Sequence, residues 1–144
     1  MKRCYVFDID GTLADITHRL PLIKREPKDW DAFFDACHLD TPIVPMVMLA
    51  RDLASRVPVI FASGRAERCR EKTKDWLFPF KLFGALYMRK DGDHRPDYQV
   101  KCEMLGHMRA DGWEPIMVFE DRSQVVQMWR ENGIPCAQVA DGNF

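Results

Sequence analysis

Residues 5–15 read YVFDIDGTLAD, and this stretch decides the fold of the chain. A short, mostly apolar run leads directly into Asp8, a second carboxylate follows at Asp10, and Gly11 with Thr12 turns the chain. Such a run is typical of a buried strand, and a glycine after it is typical of a sharp turn. Two acids held close together at the end of a buried strand repel each other, and burial increases that cost. The stretch therefore predicts a strand that delivers carboxylates to a functional site.

Length, composition and charge describe one soluble globular domain over residues 1–144, long enough to bury a core. The formal net charge of -1 gives no general attraction to nucleic acid, so any basic surface must be local. No apolar stretch could span a bilayer, and the first acids come too early for a secretory signal peptide. The 5 cysteines are scattered and form no CxxC pair. We therefore expect reduced thiols in a cytoplasmic protein, without zinc or disulfides.

Short apolar runs alternate with segments of helical period along most of the chain. The predicted strands are Cys4–Phe7, Val57–Ala62, Gly84–Met88, Pro115–Phe119 and Cys136–Val139. The predicted helices cover residues 43–54, 67–77 and 98–110 and a segment around 125–129. Strands and helices that alternate in this way, joined by right-handed crossovers, predict an α/β fold. We expect a doubly wound, Rossmann-like parallel sheet of about five strands.

Residues 15–41 interrupt this alternation. They contain two prolines and one short predicted helix over residues 29–37. The segment is too short for a separate domain, so we interpret it as a flap, or minimal cap, over the end of the first strand. For Trp30 and Phe33 three roles stay open: inward packing, shaping of a pocket, or both.

Polar residues follow three of the predicted strands. Chemistry in parallel α/β sheets collects beyond the carboxyl ends of the strands, so these residues are expected to meet at one sheet edge. Taken singly, each has an ordinary explanation as a turn former, a helix cap or a solvated side chain. Acids on two separate strands are not explained by caps. The polar groups are Asp8, Asp10 and Thr12, then Ser63, Gly64 and Arg65, then Glu120, Asp121 and Arg122.

Four of these groups are carboxylates, and a bound cation would remove their mutual repulsion. A site made only of carboxylate oxygens suits Mg²⁺. The predicted metal ligands are Asp8, Asp10, Glu120 and Asp121.

Phosphoryl transfer is the chemistry that such a site supports. Asp8 is the predicted nucleophile, which forms an aspartyl-phosphate. Mg²⁺ and Lys101 would offset the charge of the phosphoryl group, and Ser63 would donate to its oxygens. Asp10 is predicted to protonate the leaving oxygen and then to accept a proton from water, held by a hydrogen bond from Thr12.

The sequence DIDGT resembles the first signature of the haloacid dehalogenase (HAD) superfamily, in its phosphatase branch. The later motifs occur in the same order as in that family: Ser63, Lys101, and the acid pair Glu120-Asp121. The resemblance implies Mg²⁺-dependent phosphoryl transfer through an aspartyl-phosphate. The usual acid pair of the family is Asp-Asp. We therefore expect Asp121 to bind the metal directly and Glu120 to bind it through water.

Three longer segments are similar to the phosphatase domain of the T-even phage polynucleotide kinase/phosphatase family. They are FASGR, MRKDGDHRPDYQVK and EDRSQVVQMWRENGIPCAQVADGNF. That family removes a 3′-phosphate from nucleic acid ends. The resemblance is weakest in the flap, and no P-loop of a kinase occurs in this chain. Carried over, it implies a substrate-binding set of Thr12, Gly64, Arg65, Arg89 and Arg95, where Arg95 could instead form a loop ion pair with Asp93.

Three functions stay open on these grounds. The first is a polynucleotide 3′-phosphatase, with a separate kinase or ligase as a partner and a local basic cluster as its nucleic acid contact. The second is a nucleotidase or small-molecule phosphatase acting on nucleoside monophosphates, which the near-neutral charge and short flap favour. The third is a non-catalytic phosphate-binding module or phospho-receiver domain, which does not need an acid at Asp10. The basic cluster comprises Arg65, Arg68, Arg70, Lys72, Arg89, Lys90 and Arg95.

Overall fold

The computed structural model describes all residues, Met1–Phe144. Five strands form one sheet: β1 (Lys2–Phe7), β4 (Val59–Ala66), β5 (Leu86–Arg89), β6 (Trp113–Glu120) and β7 (Cys136–Gln138). Their order in the sheet is β5-β4-β1-β6-β7, and every neighbouring pair is parallel. The predicted α/β class and the five-stranded parallel sheet are confirmed.

Helices cover both faces of this sheet. The four long ones are α3 (Val44–Ala54), α4 (Arg70–Leu77), α5 (Asp97–Ala110) and α6 (Ser123–Glu131). Successive residues of β1 point to opposite faces, so Phe7 packs in one core cluster and Val6 in the other. The first cluster includes residues of α3 and α4, and the second includes residues of α5 and α6. Two cores on one sheet are what makes the fold doubly wound.

Several boundaries differ from the sequence prediction. The second sheet strand runs on to Ala66, beyond the predicted end at Ala62, because its pairing with β5 continues across a register shift between Ser63 and Ala66. The fourth begins at Trp113, before Pro115, and the β1–β6 register shifts between Cys4 and Tyr5. A register shift there accommodates a proline, which has no N–H for the ladder.

The flap begins and ends on two short antiparallel strands, β2 (Ala14–Asp15) and β3 (Thr41–Pro42). Between them lie α1 (Pro21–Lys24) and α2 (Trp30–Asp35), which pack against each other. Asp29 caps α2, since its Oδ1 accepts from the backbone N–H of Ala32 at 3.0 Å. The two aromatic residues of the sequence prediction separate here: Phe33 is 4% exposed, whereas Trp30 is 47% exposed.

All five cysteines are free thiols, and four of them are buried. Burial raises the pKa of Cys4 and Cys69 to about 11 and that of Cys136 to about 12. No helix combines the length and the apolar character needed to cross a membrane.

Candidate functional site

Three carboxyl groups meet at the carboxyl end of the sheet. Asp8 follows β1, while Glu120 ends β6 and Asp121 follows it. One carboxylate oxygen from each residue lies within 4.8 Å of the others, and all three residues are buried. Lys101 of α5 reaches the same point, with its Nζ 2.7 Å from Asp8 Oδ1 and 2.8 Å from Glu120 Oε2. Asp97, one turn earlier on α5, places Oδ2 3.5 Å from the same Nζ.

The three carboxyl groups of this cluster share one cationic neighbour, Lys101, which cannot balance the charge of all of them. Burial and the neighbouring Glu120 raise the pKa of Asp8 to about 8, although Lys101 opposes the shift. Burial likewise raises the pKa of Glu120 to about 7 and that of Asp121 to about 7. Burial would lower the pKa of Lys101, but its acidic neighbours raise it well above the usual range. With several carboxyl groups around one ammonium, the residues fit a divalent cation held by oxygen ligands.

Gly11 and Thr12 each contact one acid of this cluster: Gly11 lies against Asp121, and Thr12 binds Asp8. Gly11 has a φ of 82°, and a Cβ at this position would collide with the carboxylate of Asp121. Only glycine therefore lets the turn approach Asp121 so closely. Thr12 donates a hydrogen bond from Oγ1 to Asp8 Oδ2 at 3.0 Å. The predicted hydrogen bond from Thr12 to Asp10 was wrong. Thr12 lies four residues after Asp8, and its hydroxyl donates to the Asp8 carboxylate instead.

A second buried cluster holds Asp10, apart from the three acids. Asp10 Oδ1 accepts from Arg19 Nη2 at 2.8 Å and from Arg65 Nε at 2.9 Å. Both guanidinium groups also bind Asp40, with Arg19 Nε 2.8 Å from its Oδ1 and Arg65 Nη2 2.9 Å from its Oδ2. Two carboxylates face two guanidinium groups, so this cluster balances its own charge.

The two arginines decide the protonation of Asp10. Burial opposes ionisation of Asp10, but Arg65 and Arg19 outweigh it and hold the pKa of its carboxyl below the usual range. Both arginine side chains are fully buried, while the side chain of Asp10 keeps 23% exposure. The Asp10 carboxylate, which we predicted as a metal ligand, is therefore outside the three-acid group and paired with arginine instead.

The remaining predicted site residues lie around β4 and the loop after β5. Ser63 is 1% exposed, and its Oγ accepts from the backbone N–H of Arg65 at 3.1 Å. A Cβ on Gly64 would meet the carboxylate of Asp97, so the β4 end packs directly on α5. Arg65 has no exposed surface, so it contacts Asp10 and Asp40 rather than the exterior.

Arg89 and Arg95 have different surroundings. Arg89 is half-buried and donates to the carbonyl oxygens of Gly64 at 3.0 Å and Arg95 at 2.6 Å, which ties the β5 loop to the site. Arg95 is exposed and pairs with Asp93 at 2.8 Å and Glu103 at 2.7 Å. The loop ion pair that was left open for Arg95 is the arrangement found.

Both oxygens of Glu120 are engaged by groups of the chain itself. Oε2 accepts from Lys101, and Oε1 accepts from the backbone N–H groups of Asp121 at 3.1 Å and Arg122 at 3.3 Å. The last residues of the chain support the same loop: Gly142 accepts from the Ser123 N–H at 2.9 Å, and its Cα packs on the backbone of Asp121. The acid pair is thus fixed from several sides.

Sequence reasoning missed Arg19, Asp40 and Asp97 as site residues. For Asp97 a signal existed, since it precedes Lys101 by four residues and so shares its helix face. Arg19 ends one short 3-10 helix and Asp40 follows another, 21 positions along the chain, and no periodicity connects them. They meet because the pairing of β2 with β3 brings the two ends of the flap together.

Comparison with known proteins gives the family. The profile of the family described as "Polynucleotide kinase PNKP phosphatase domain" matches residues 2–144. The chain belongs to this family. A curated protein of Autographa californica nuclear polyhedrosis virus, described as "Putative bifunctional polynucleotide kinase/RNA ligase", is 30% identical over 138 residues. That match covers 92% of this chain and 18% of the viral protein, so the chain spans less than a fifth of its relative.

Solved structures agree with the PNKP phosphatase assignment. A chain of the Pnkp1/Rnl/Hen1 RNA repair complex is similar with a TM-score of 0.86 and 28% identity, over 100% of this chain and 44% of that one. A haloacid dehalogenase-like hydrolase of Streptococcus pneumoniae, at 13% identity, shares the fold with a TM-score of 0.63, over 95% of this chain and 84% of that one. As a member of the PNKP phosphatase-domain family with the HAD fold, the protein is a phosphatase.

Proposed function

We propose that the protein is a Mg²⁺-dependent polynucleotide 3′-phosphatase that works through an aspartyl-phosphate on Asp8. The observation that carries the proposal is the division of charge between two neighbouring clusters. Asp8, Glu120 and Asp121 have raised pKa values and only one cationic neighbour, Lys101. Asp10, in contrast, is paired with two arginines, Arg19 and Arg65. A divalent cation is favoured at the first cluster, and a proton-transferring carboxylate is held at the second.

Asp8, Glu120 and Asp121 would hold the cation, whose charge would offset that of the phosphoryl oxygens. In the first step an Asp8 oxygen forms a bond to phosphorus, the ester P–O bond breaks, and the leaving oxygen takes a proton from Asp10. In the second step water gives its proton to Asp10 and attacks phosphorus, which releases inorganic phosphate and restores Asp8. Lys101 holds Asp8 in place throughout, by the 2.7 Å contact of its Nζ.

Asp10 is best prepared for the second of these steps. Its arginine partners keep it ionised in the free enzyme, as a base must be. For the first step it must carry a proton, and the negative charge of an arriving phosphate favours protonation of a neighbouring carboxylate. Arg19 and Arg65 both donate to Oδ1, so Oδ2 is left to exchange the proton.

The substrate proposal depends on the relatives. The family description names a polynucleotide kinase, and the similar solved structure is an RNA repair complex, which supports a 3′-phosphate on a nucleic acid end as substrate. A separate kinase or ligase is then the natural partner, and the free thiols fit a cytoplasmic location. A nucleotidase is the second candidate, favoured by the net charge of -1, which gives little attraction for a long polyanion.

A release panel separates these candidates. It would compare 3′-phosphorylated oligonucleotides, 5′-phosphorylated oligonucleotides and nucleoside monophosphates with Mg²⁺ at two salt concentrations, with inorganic phosphate as the readout. We expect the highest kcat/KM on 3′-phosphorylated ends, falling as salt rises because phosphate contacts release counterions. Faster turnover of nucleoside monophosphates, with no salt dependence, would favour the nucleotidase.

Metal binding should also appear in the pH dependence of stability. In the unfolded chain the pKa values of Asp and Glu are about 3.9 and 4.3. In the folded protein the pKa values of Asp8, Glu120 and Asp121 are about 7 to 8, so at a pH between these two ranges the folded state binds more protons than the unfolded state. Without metal, stability should therefore fall as pH rises from 5 to 8, because the folded state then gives up protons that the unfolded state has already lost. Mg²⁺ should raise the melting temperature more at pH 8 than at pH 5. Melting curves at matched ionic strength test this, and a Mg²⁺ effect independent of pH would contradict it.

A further inference from the structure

Trp30 is the one aromatic residue of the flap that stays largely exposed, although it belongs to a packed aromatic group. Its ring stacks on Phe34 at 6.0 Å between centroids, with 30° between the planes, and meets Phe33 edge-on at 5.6 Å. Phe33 in turn is buried, while Trp30 keeps 47% exposure. The indole ring of Trp30 thus packs against the rings of Phe33 and Phe34, and the rest of its surface is exposed to solvent.

Side-chain contacts connect α2, the flap helix that carries Trp30, to the rest of the domain. Phe33 lies under the guanidinium group of Arg19 at 4.3 Å, and Arg19 donates to Asp10. Asp31, the next residue after Trp30, pairs with Arg68 at 2.7 Å, three positions after Arg65. Trp30 is therefore linked to Asp10 through Phe33 and Arg19, and its neighbour Asp31 contacts the segment that follows β4.

Charged side chains of both signs lie next to Trp30 in the chain: Asp29 and Asp31 flank it, and three basic residues precede them. The segment of residues 24–28 reads KREPK, and its lysines and arginine are exposed. It follows α1, which packs against α2, and Arg25 lies 3.7 Å from Asp29, the cap of α2. An exposed aromatic ring beside basic side chains is how proteins hold single-stranded nucleic acid, by stacking a base and attracting its phosphates.

We infer that Trp30 is a stacking platform for a nucleobase next to the phosphate that is removed, an inference that rests on the proposed 3′-phosphatase function. Stacking is tolerant of base identity, since every base has a flat π-face. It also suits a protein of near-neutral charge, because the base contact does not depend on ion pairing. The fixed ring loses little freedom on binding, so the contact is prepared in advance.

The test compares substrates with and without the base. The substrates are an oligonucleotide with a 3′-terminal phosphate, the same oligonucleotide with an abasic terminal and penultimate position, and nitrophenyl phosphate. Trp30→Ala should lower kcat/KM about 5- to 150-fold on the first and leave the other two unchanged. Trp30→Phe should keep most of the activity, because a smaller ring still stacks. An equal loss on all three substrates, or no loss on the first, would overturn the inference.

A matched control is Phe83→Ala, which removes another exposed aromatic side chain, 68% exposed and outside the flap. It should leave all three substrates unchanged. Binding gives a second readout: in the inactive Asp8→Asn variant, the unphosphorylated oligonucleotide should quench tryptophan fluorescence, and Trp30→Phe should remove that quenching. If the wild type hydrolyses nitrophenyl phosphate but no oligonucleotide, the 3′-phosphatase proposal fails, and the quenching still decides the platform: quenching that survives Trp30→Phe rejects it.

Discussion

Asp8→Asn should abolish Mg²⁺-dependent phosphate release, with a loss of about 10³-fold or more, while the protein stays folded. The amide nitrogen and oxygen cannot replace a carboxylate as a nucleophile toward phosphorus. The structure gives a reason to expect a sound fold: Asp8 is ionised at a cost, since burial and Glu120 raise its pKa to about 8. A neutral amide of the same shape removes that cost, keeps its oxygen as the acceptor for Lys101, and turns its NH2 group toward the Thr12 hydroxyl, whose oxygen can accept.

Two measurements distinguish loss of the nucleophile from loss of structure. The melting temperature of Asp8→Asn without metal at pH 8 should equal or exceed that of the wild type. As a matched control, Asp111→Asn changes an exposed acid whose carboxylate accepts from the Tyr87 hydroxyl. Asp111 is the C-cap of α5, at the opposite end of that helix from Asp97. The Asp111→Asn variant should release phosphate at the wild-type rate. Turnover near normal in Asp8→Asn would remove Asp8 as the nucleophile.

Asp10→Asn should slow hydrolysis of alkyl phosphates about 10²- to 10⁴-fold, the range typical for loss of a general acid–base group. An alkyl leaving oxygen is strongly basic and needs a proton in the first step, whereas nitrophenolate needs little help. The first step with nitrophenyl phosphate should therefore be much less affected, as measured by the burst of nitrophenol. Equal losses on the two substrates would argue against proton transfer by Asp10.

Asp40→Asn is the control for the structural part of that effect. It also removes one carboxylate from the buried pair of arginines, but Asp40 is held by Arg19, Arg65 and His18 and has no exposed side-chain surface. Leaving buried guanidinium groups without their partner costs about 3–5 kcal/mol. We expect a lower melting temperature and a loss of activity that is the same for alkyl and nitrophenyl esters. A dependence on the leaving group in Asp40→Asn would instead indicate that the whole network transfers the proton.

Much of the fold could be predicted because its signals are local. The apolar run before Asp8, the later strands and the helical periods are each written in a few consecutive residues, and all five sheet strands were found. Boundaries were less certain where pairing depends on a neighbour. Ser63, Gly64 and Arg65 lie inside β4, because β5 continues to pair with that strand as far as Ala66.

The candidate site divides in the same way. Asp8, Lys101, Glu120 and Asp121 were predicted from their positions at strand ends and on a helix, and the structure brings them together. Their closeness follows from topology, since parallel strands end at one edge. The partners of Asp10 could not be predicted in this way. The sequence predicted that Arg65 contacts a phosphate. In the structure Arg65 is buried against the carboxylates of Asp10 and Asp40, and Asp40 belongs to the flap.

The sequence by itself predicted the doubly wound sheet and the meeting of Asp8, Glu120 and Asp121 at one sheet edge, because each depends on a short motif and on the shared direction of parallel strands. Only the tertiary structure decided that Asp10 is separated from those acids, that Thr12 serves Asp8, and that Trp30 stays exposed above a packed aromatic base. The reason is that these features depend on how the flap closes. Arg19 and Asp40 lie 21 positions apart, and their buried charges are stable only where folding places them against Arg65 and Asp10.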